Sequence, residues 1–159
     1  MKENTTLPVK PRDASSVIII KKANNKSYVL MGRRSLDSRF MPGVYVFPGG
    51  VVERSDFLAH KYFRTSSNIL SKKVKTRSRA HTLSLLLAGI RETSEETGLY
   101  LAKTKSYKHD LSNSLNNTWQ DFIKKSYSPS VNKLYFFGRA ITPSIMKIRF
   151  HARFFVSFY

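Results

Sequence analysis

The chain has 159 residues, of which 41% are hydrophobic and 13% aromatic, and this composition predicts one folded domain over residues 1–159 rather than a disordered chain. Its 28 Lys and Arg residues against 10 Asp and Glu residues give a net charge of +18, which predicts anionic partners, whether nucleic acid, anionic lipid or a phosphorylated small molecule. Because the sequence has no cysteine, disulfides, thiolate nucleophiles and thiolate metal sites are excluded.

The first 50 residues predict strands and polar connections. Residues 1–13 lack the apolar core of a secretory signal, and no apolar run reaches the roughly 20 residues of a membrane span. We therefore expect a cytoplasmic protein without membrane contact. Apolar segments at 15–20 and 27–31 predict two strands joined by a polar turn. Residues 44–47 predict a buried strand that ends at Pro48-Gly49-Gly50, a loop whose glycines allow close backbone approach to a ligand.

A basic segment follows at residues 57–79. It has no acidic residue and seven basic ones, namely Lys61, Arg64, Lys72, Lys73, Lys75, Arg77 and Arg79. One interpretation is that these charges attract a phosphorylated substrate toward a neighbouring site. The other is that the segment is a flexible basic surface loop.

Residues 79–97 predict a helix, with Gly98 as the residue just past its end. Helical spacing gathers four apolar side chains on one side, Leu83, Leu86, Leu87 and Ile90, and three acidic ones opposite, Glu92, Glu95 and Glu96. The pattern predicts a half-buried helix. Downstream, residues 118–125 predict a second helix, and residues 134–141 and 152–159 predict two more strands.

Half of the ten acidic residues fall in two clusters, at 53–56 and 92–96. Residues three and four apart on a helix are neighbours, so Glu92 lies beside both Glu95 and Glu96. Carboxylates are suitable ligands for hard divalent cations, and a bound cation would offset their repulsion. The alternative is an ordinary amphipathic helix with a solvated acidic face.

These segments resemble the signature of the Nudix hydrolase superfamily, G-x5-E-x7-R-E-x-x-E-E-x-G-hydrophobic. Gly50, five residues and Asp56 are similar to its first half, with Asp in place of Glu, and residues 91–99, RETSEETGL, match its second half. The 34 residues 57–90 separate the halves where the signature has seven. Together with FFGRAITP and RFHARFF, the similarity extends over residues 12–155 and is closest to the long-insertion branch that includes the peroxisomal coenzyme A diphosphatases.

The resemblance implies an α/β fold, a Nudix α/β/α sandwich with a mixed β-sheet and an insertion inside the signature. It implies Mg²⁺ or Mn²⁺ as cofactor, held by Gly50 through its carbonyl and by Glu92, Glu95 and Glu96. The resemblance implies catalytic roles for Glu92, Glu95 and Arg91, with Arg91 orienting a carboxylate. The general base stays open among the glutamates, and we favour Glu95.

For the substrate, the resemblance implies binding by Arg34, Arg39 and Glu53, whereas Asp56 is expected to be structural. The segment around Arg34 and Arg39 is loosely similar to the extra motif of coenzyme A diphosphatases, with Met41 where those enzymes tend to have His. The leading hypothesis is hydrolysis of a diphosphate linkage in a nucleoside diphosphate derivative such as coenzyme A or its thioesters.

Two further hypotheses stay open. A related enzyme would act on ADP-ribose, a nucleotide sugar or a capped RNA end. A non-catalytic module would use the positive charge to hold RNA or DNA.

The resemblance also implies a further helix after the strand at 152–159. We therefore expect the C-terminal part to be missing, which would leave either an inactive shortened domain or a homodimer that covers an exposed apolar strand edge.

Overall fold

A computed structural model describes residues 9–69, 71–106 and 114–159. Most of the segment in which we expect no secretory signal, residues 1–8, lies outside this part. The first half contains β1 Arg12–Ala23, β2 Lys26–Val29, β3 Gly32–Arg33, β4 Tyr45–Val46, β5 Gly49–Val51, α1 Arg54–Phe63, α2 Ser71–Val74 and α3 Arg79–Thr97. The second half contains β6 Ala102–Thr104, α4 Asn117–Lys124, β7 Tyr127–Pro129, a 3₁₀ turn Val131–Lys133, β8 Tyr135–Ile141 and β9 Phe150–Phe158.

Five of the described strands form a mixed sheet around β1. The order is β2-β1-β9-β8, and β5 also pairs with β1. β9 runs parallel to β1, whereas β2, β5 and β8 are antiparallel to their neighbours. β5 pairs with β1 at residues 14–16 and β2 pairs with it at residues 20–23, so they share one edge of β1. The expected α/β class with a mixed sheet is confirmed.

Helix α3 has the predicted bounds because both of its ends are specified locally. The Ser78 hydroxyl accepts a hydrogen bond from the His81 backbone N–H at 3.1 Å, and Gly98 adopts a φ of +70° at the C-terminal end. The expected half-buried helix is wrong, because residues 81–91 are buried on every side. The exposed residues of α3 lie at its two ends, Arg79 and Ala80 at the start and residues 95–97 at the glutamate-bearing end, since α1, α2 and α4 cover the remaining sides.

The close fit between α3 and β1 depends on Gly89. A Cβ at this position would lie 2.8 Å from both the Ser15 Oγ and a Val17 methyl carbon. The glycine therefore lets the helix backbone approach the sheet, and α3 reaches the glycines of β5 at its acidic end.

Two predicted loops have regular structure. The glycine loop at 48–50 is wrong in part: Gly49 and Gly50 belong to β5, because the adjacent strand β1 offers its free edge at Ser15 and Ser16. The flexible loop expected at 57–79 is also wrong. α1 begins upstream, and buried Ala59 and Phe63 belong to the hydrophobic core, while α2 contributes buried Val74.

The exposed edge expected for the last strand is wrong as well. β9 lies between β1 and β8, and Phe155 is fully buried, so the strand is internal. Exposed aromatic rings are confined to its end, at Phe158 and Tyr159. None of the helices in the described ranges combines the length and apolar character needed to cross a bilayer.

Candidate active site

Arg91 organises the acidic end of α3 from inside the protein. It is 2% exposed, and its guanidinium forms a two-point pair with Asp56, with Nε donating to Oδ1 at 3.0 Å and Nη2 to Oδ2 at 3.2 Å. Nη2 also donates to the Val51 carbonyl at 2.9 Å. The first turn of α1 and the end of β5 are thereby fixed to α3.

Asp56 is fully buried and accepts two further hydrogen bonds. The Trp119 indole N–H donates to Oδ1 at 3.2 Å, and the Glu53 backbone N–H donates to Oδ2 at 2.9 Å. Every contact therefore joins Asp56 to a neighbouring element and none to solvent, which agrees with the structural role expected for it.

The remaining guanidinium nitrogen of Arg91 faces the glutamates. Nη1 donates to Glu92 Oε1 and to Glu95 Oε2, both at 2.9 Å, and lies 4.0 Å from Glu53 Oε1. These are the contacts that an orienting arginine would make, and the catalytic role of Arg91 stays a prediction. One buried cation thus holds the glutamates of the last α3 turn next to each other despite their like charge.

The glycines of β5 lie directly against these carboxylates. A Cβ on Gly50 would lie 2.2 Å from Glu92 Oε1, so the absence of a side chain creates the space that Glu92 fills. The Gly49 N–H donates to Glu96 Oε2 at 3.1 Å. Pairing of Gly50 with Ser15 of β1 fixes the position of β5 beside these carboxylates. The two halves of the split motif are therefore adjacent, although 34 residues, 57–90, separate Asp56 from Arg91 in sequence.

Burial perturbs the acid–base properties of the cluster. Desolvation raises the pKa of Glu92 to about 7, against the opposing effect of the Arg91 guanidinium. Desolvation also raises the pKa of Glu96, against the Gly49 N–H and the positive charge of Arg34. The side chain of Glu92 is 16% exposed and that of Glu95 35%. A group that carries positive charge would relieve this penalty.

The glutamates provide oxygen donors of the kind that Mg²⁺ and Mn²⁺ prefer. In the conformation described for residues 9–69, 71–106 and 114–159, no three acidic or histidine side chains converge closely enough to hold an ion. The reason is that Glu92 and Glu95 face Arg91, and Glu96 faces Gly49. The donor chemistry of the glutamates, their close approach to the Gly50 backbone and the raised pKa of Glu92 fit a divalent cation. The four predicted ligands stay predictions.

A cavity of about 570 Å³ lies beside Glu96, within the size range of ligand sites. Its lining includes Gly32, Arg33, Arg34, Ser35, Pro48 and Glu96. The Arg34 guanidinium is held by Ser38 Oγ at 3.0 Å from Nη2, which positions one predicted substrate-binding residue at this cavity. Arg39 is exposed and does not line it. Glu53 instead lies near Arg91, with its side chain 52% exposed.

Three residues at the start of α4 contact the acids, and no sequence pattern indicated these contacts. Asn116, Thr118 and Trp119 donate hydrogen bonds to Glu53, Glu95 and Asp56. The helix was expected from its apolar spacing, and Trp119 was expected in the core. No short motif includes these polar contacts, since they join positions 23 to 63 residues apart.

The sequence and fold of the chain are similar to those of known proteins. No protein-family model matches the chain. A Caenorhabditis elegans protein provisionally named nudix hydrolase 7 is 27% identical over 91% of the chain. The crystal structure of a NUDIX hydrolase from Alicyclobacillus acidocaldarius is 27% identical and superposes with a TM-score of 0.69, covering 94% of this chain and 70% of that one. The chain is therefore similar to Nudix hydrolases in sequence and in fold.

The mixed sheet and the helices of the chain match the fold of this NUDIX hydrolase structure. The chain spans 43% of the length of the C. elegans Nudix relative. The coenzyme A diphosphatase branch within the Nudix superfamily stays a prediction.

Proposed function

We propose that the chain is a hydrolase that cleaves a diphosphate linkage in a phosphorylated small molecule, with Mg²⁺ or Mn²⁺ as cofactor. The observation that carries the proposal is the contact of Gly49 and Gly50, in β5, with Glu96 and Glu92. These glycines contact the acidic end of α3, whose glutamates would be the anionic ligands. The neighbouring cavity is lined by Arg33 and Arg34, which would contact phosphate, and also by the acids Asp37 and Glu96.

Glu92, Glu95, Glu96 and the Gly50 carbonyl would hold the divalent cation. When bound, the ion neutralises diphosphate charge and lowers the pKa of the attacking water. Arg91 would maintain the orientation of Glu92 and Glu95 through the two 2.9 Å contacts from Nη1. Because Arg91 is anchored on the opposite side by buried Asp56, its position does not depend on solvent-exposed contacts.

In the reaction, water oxygen bonds to one phosphorus, the bond from that phosphorus to the bridging oxygen breaks, and the bridging oxygen leaves with the second phosphate. One glutamate accepts the proton of the water. Glu95 is the favoured base, since it is the more exposed of the two glutamates on Arg91. Glu92 is the alternative, because it is the second glutamate that accepts a hydrogen bond from Arg91 Nη1.

For the substrate, we propose a nucleoside diphosphate derivative bound in the 570 Å³ cavity with its phosphates toward Arg34. Coenzyme A and its thioesters are the leading class, followed by ADP-ribose, nucleotide sugars and capped RNA. Arg39 would contribute only at the exposed entrance. Glu53 would act from the opposite side, near Arg91.

The decisive experiment compares the wild-type protein with Glu96→Gln on a panel of these compounds with Mg²⁺ or Mn²⁺. We expect the substitution to lower the rate at least about a hundredfold, since it removes an anionic ligand without changing shape. Asp121→Asn is the matched control, because it makes the same chemical change at a partly exposed position on α4. Equal rates for wild type and Glu96→Gln would refute the metal assignment.

The same preparation tests the non-catalytic alternative. A nucleic-acid-binding module would lose affinity steeply between about 50 and 200 mM salt and would be insensitive to Glu96→Gln. Silence of the wild type on every compound would refute the proposed hydrolase activity for these substrates. The homodimer stays a prediction, for which the molar mass in solution is the direct measurement.

A further inference from the structure

The N-terminal turn of α4 contacts the acidic cluster at three places. Asn116 Nδ2 approaches Glu53 Oε2 at 3.5 Å, Thr118 Oγ1 donates to Glu95 Oε1 at 2.5 Å, and Trp119 Nε1 donates to Asp56 Oδ1 at 3.2 Å. Every donor is a side chain of this one turn, and every acceptor is an acid of the split motif. α4 is therefore the wall of the site opposite Arg91.

The Thr118 contact differs from the other two because it completes the support of one carboxylate. Glu95 Oε2 accepts from Arg91 Nη1 at 2.9 Å, and Glu95 Oε1 accepts from the Thr118 hydroxyl. A carboxylate held at both oxygens cannot rotate about its terminal bond without breaking a hydrogen bond. The orientation of Glu95 is thus set jointly by α3 and α4.

The fold does not need the Thr118 hydroxyl for other purposes. The N-cap of α4 is Asn116, whose Oδ1 accepts from the Trp119 backbone N–H at 3.1 Å. Docking of the helix is provided by three buried apolar side chains, Trp119, Phe122 and Ile123. Trp119 also anchors α4 to α1 through its hydrogen bond to fully buried Asp56. The hydroxyl of Thr118 can be removed without loss of the cap or of the packed face.

We propose that Thr118 is a positioning residue of the hydrolase site, whose hydroxyl holds Glu95 in the orientation that hydrolysis requires. The inference rests on the proposed function, and it makes α4 a part of the site rather than a distant packing element. The Asn116 contact with Glu53 is longer and more exposed, so the inference assigns the effect to Thr118.

The test compares Thr118→Val, which keeps the shape and removes the hydroxyl, with Thr118→Ser, which keeps the hydroxyl. We expect Thr118→Val to lower kcat about tenfold or more with little change in KM and to weaken Mn²⁺ binding, because groups that support metal ligands typically contribute about 10–100-fold. Thr118→Ser should retain most of the wild-type kcat and most of the wild-type Mn²⁺ affinity. Thr104→Val, the same change on exposed β6, is the control, and the melting temperature should be unchanged in all variants.

Mn²⁺ binding is measured by paramagnetic resonance of the free ion, without substrate, so the inference can fail separately from the proposed function. An active wild type with an unchanged Thr118→Val would overturn the inference alone. Failure of the serine variant to recover would do the same, because it would assign the effect to packing. If the wild type binds Mn²⁺ but hydrolyses nothing, the test is the ratio of the Mn²⁺ affinities of wild type and Thr118→Val. Equal affinities would overturn the inference. A wild type that neither binds nor hydrolyses overturns both.

Discussion

Replacement of Asp56 by Asn should be the most destabilising single-atom change at this site. The carboxylate is fully buried and accepts four hydrogen bonds, two from Arg91, one from Trp119 and one from the Glu53 backbone. Asparagine keeps one acceptor oxygen and places an amide donor against one of these donors. It also leaves the buried guanidinium without the anion on that side.

The expected cost is about 3–5 kcal/mol, the range for breaking a buried charge pair at one partner. A domain of this size has a free energy of unfolding of about 5–15 kcal/mol, and each kcal/mol shifts the melting temperature by about 2–4 °C. The measurement is unfolding in urea, in which we expect the midpoint concentration to fall while the m value stays constant. Asp37→Asn, the same change at an exposed residue, should stay within about 0.5 kcal/mol. A loss below about 1 kcal/mol for Asp56→Asn would refute the idea that Asp56 anchors Arg91.

Two further predictions concern Gly50 and the pH dependence of stability. Gly50→Ala should abolish most activity with little unfolding, since its Cβ would occupy the place of the Glu92 carboxylate, whereas Gly138→Ala, with open space around it, should be neutral in the same rate assay. Because the pKa of Glu92 rises from 4.5 to about 7 on folding, its contribution to stability is full below about pH 4.5 and is lost as the pH rises through about 7. Metal-free Glu92→Gln should therefore be more stable than wild type at about pH 8, by up to about 3 kcal/mol, and a less stable variant in thermal melts would contradict the assigned burial.

The local features of the fold were predictable because they are specified by nearby residues. The apolar spacing of residues 83–90 and the glycine at position 98 predicted α3, and the structure adds the cap at Ser78. The carboxylates of its last turn were identified from their spacing alone. Likewise, the segments 15–20 and 134–141 were predicted as strands and correspond to β1 and β8, although the ends of β1 extend beyond the predicted segment.

The features that escaped prediction depend on contacts between distant segments. Gly49 and Gly50 look like a loop in sequence and become a strand only because β1 offers a free edge. The basic insertion forms α1 because Ala59 and Phe63 find the core surface of α3, which local composition does not reveal. Thr118 has no sequence signal for its contact with Glu95, since the pair forms only after α4 packs through Trp119.

The position of β9 inside the sheet has a consequence for how the protein reaches its native state. Arg12 pairs with Phe150 and Ile20 with Phe158, so the first long strand finds its parallel neighbour only after nearly all of the intervening chain has been synthesised. Contacts of such sequence separation close slowly, because the entropy of a large loop must be lost before the strands gain hydrogen bonds. Until then β1 carries one unsatisfied edge on the nascent chain, and the ribosome-bound protein should depend on chaperones more than its modest length suggests.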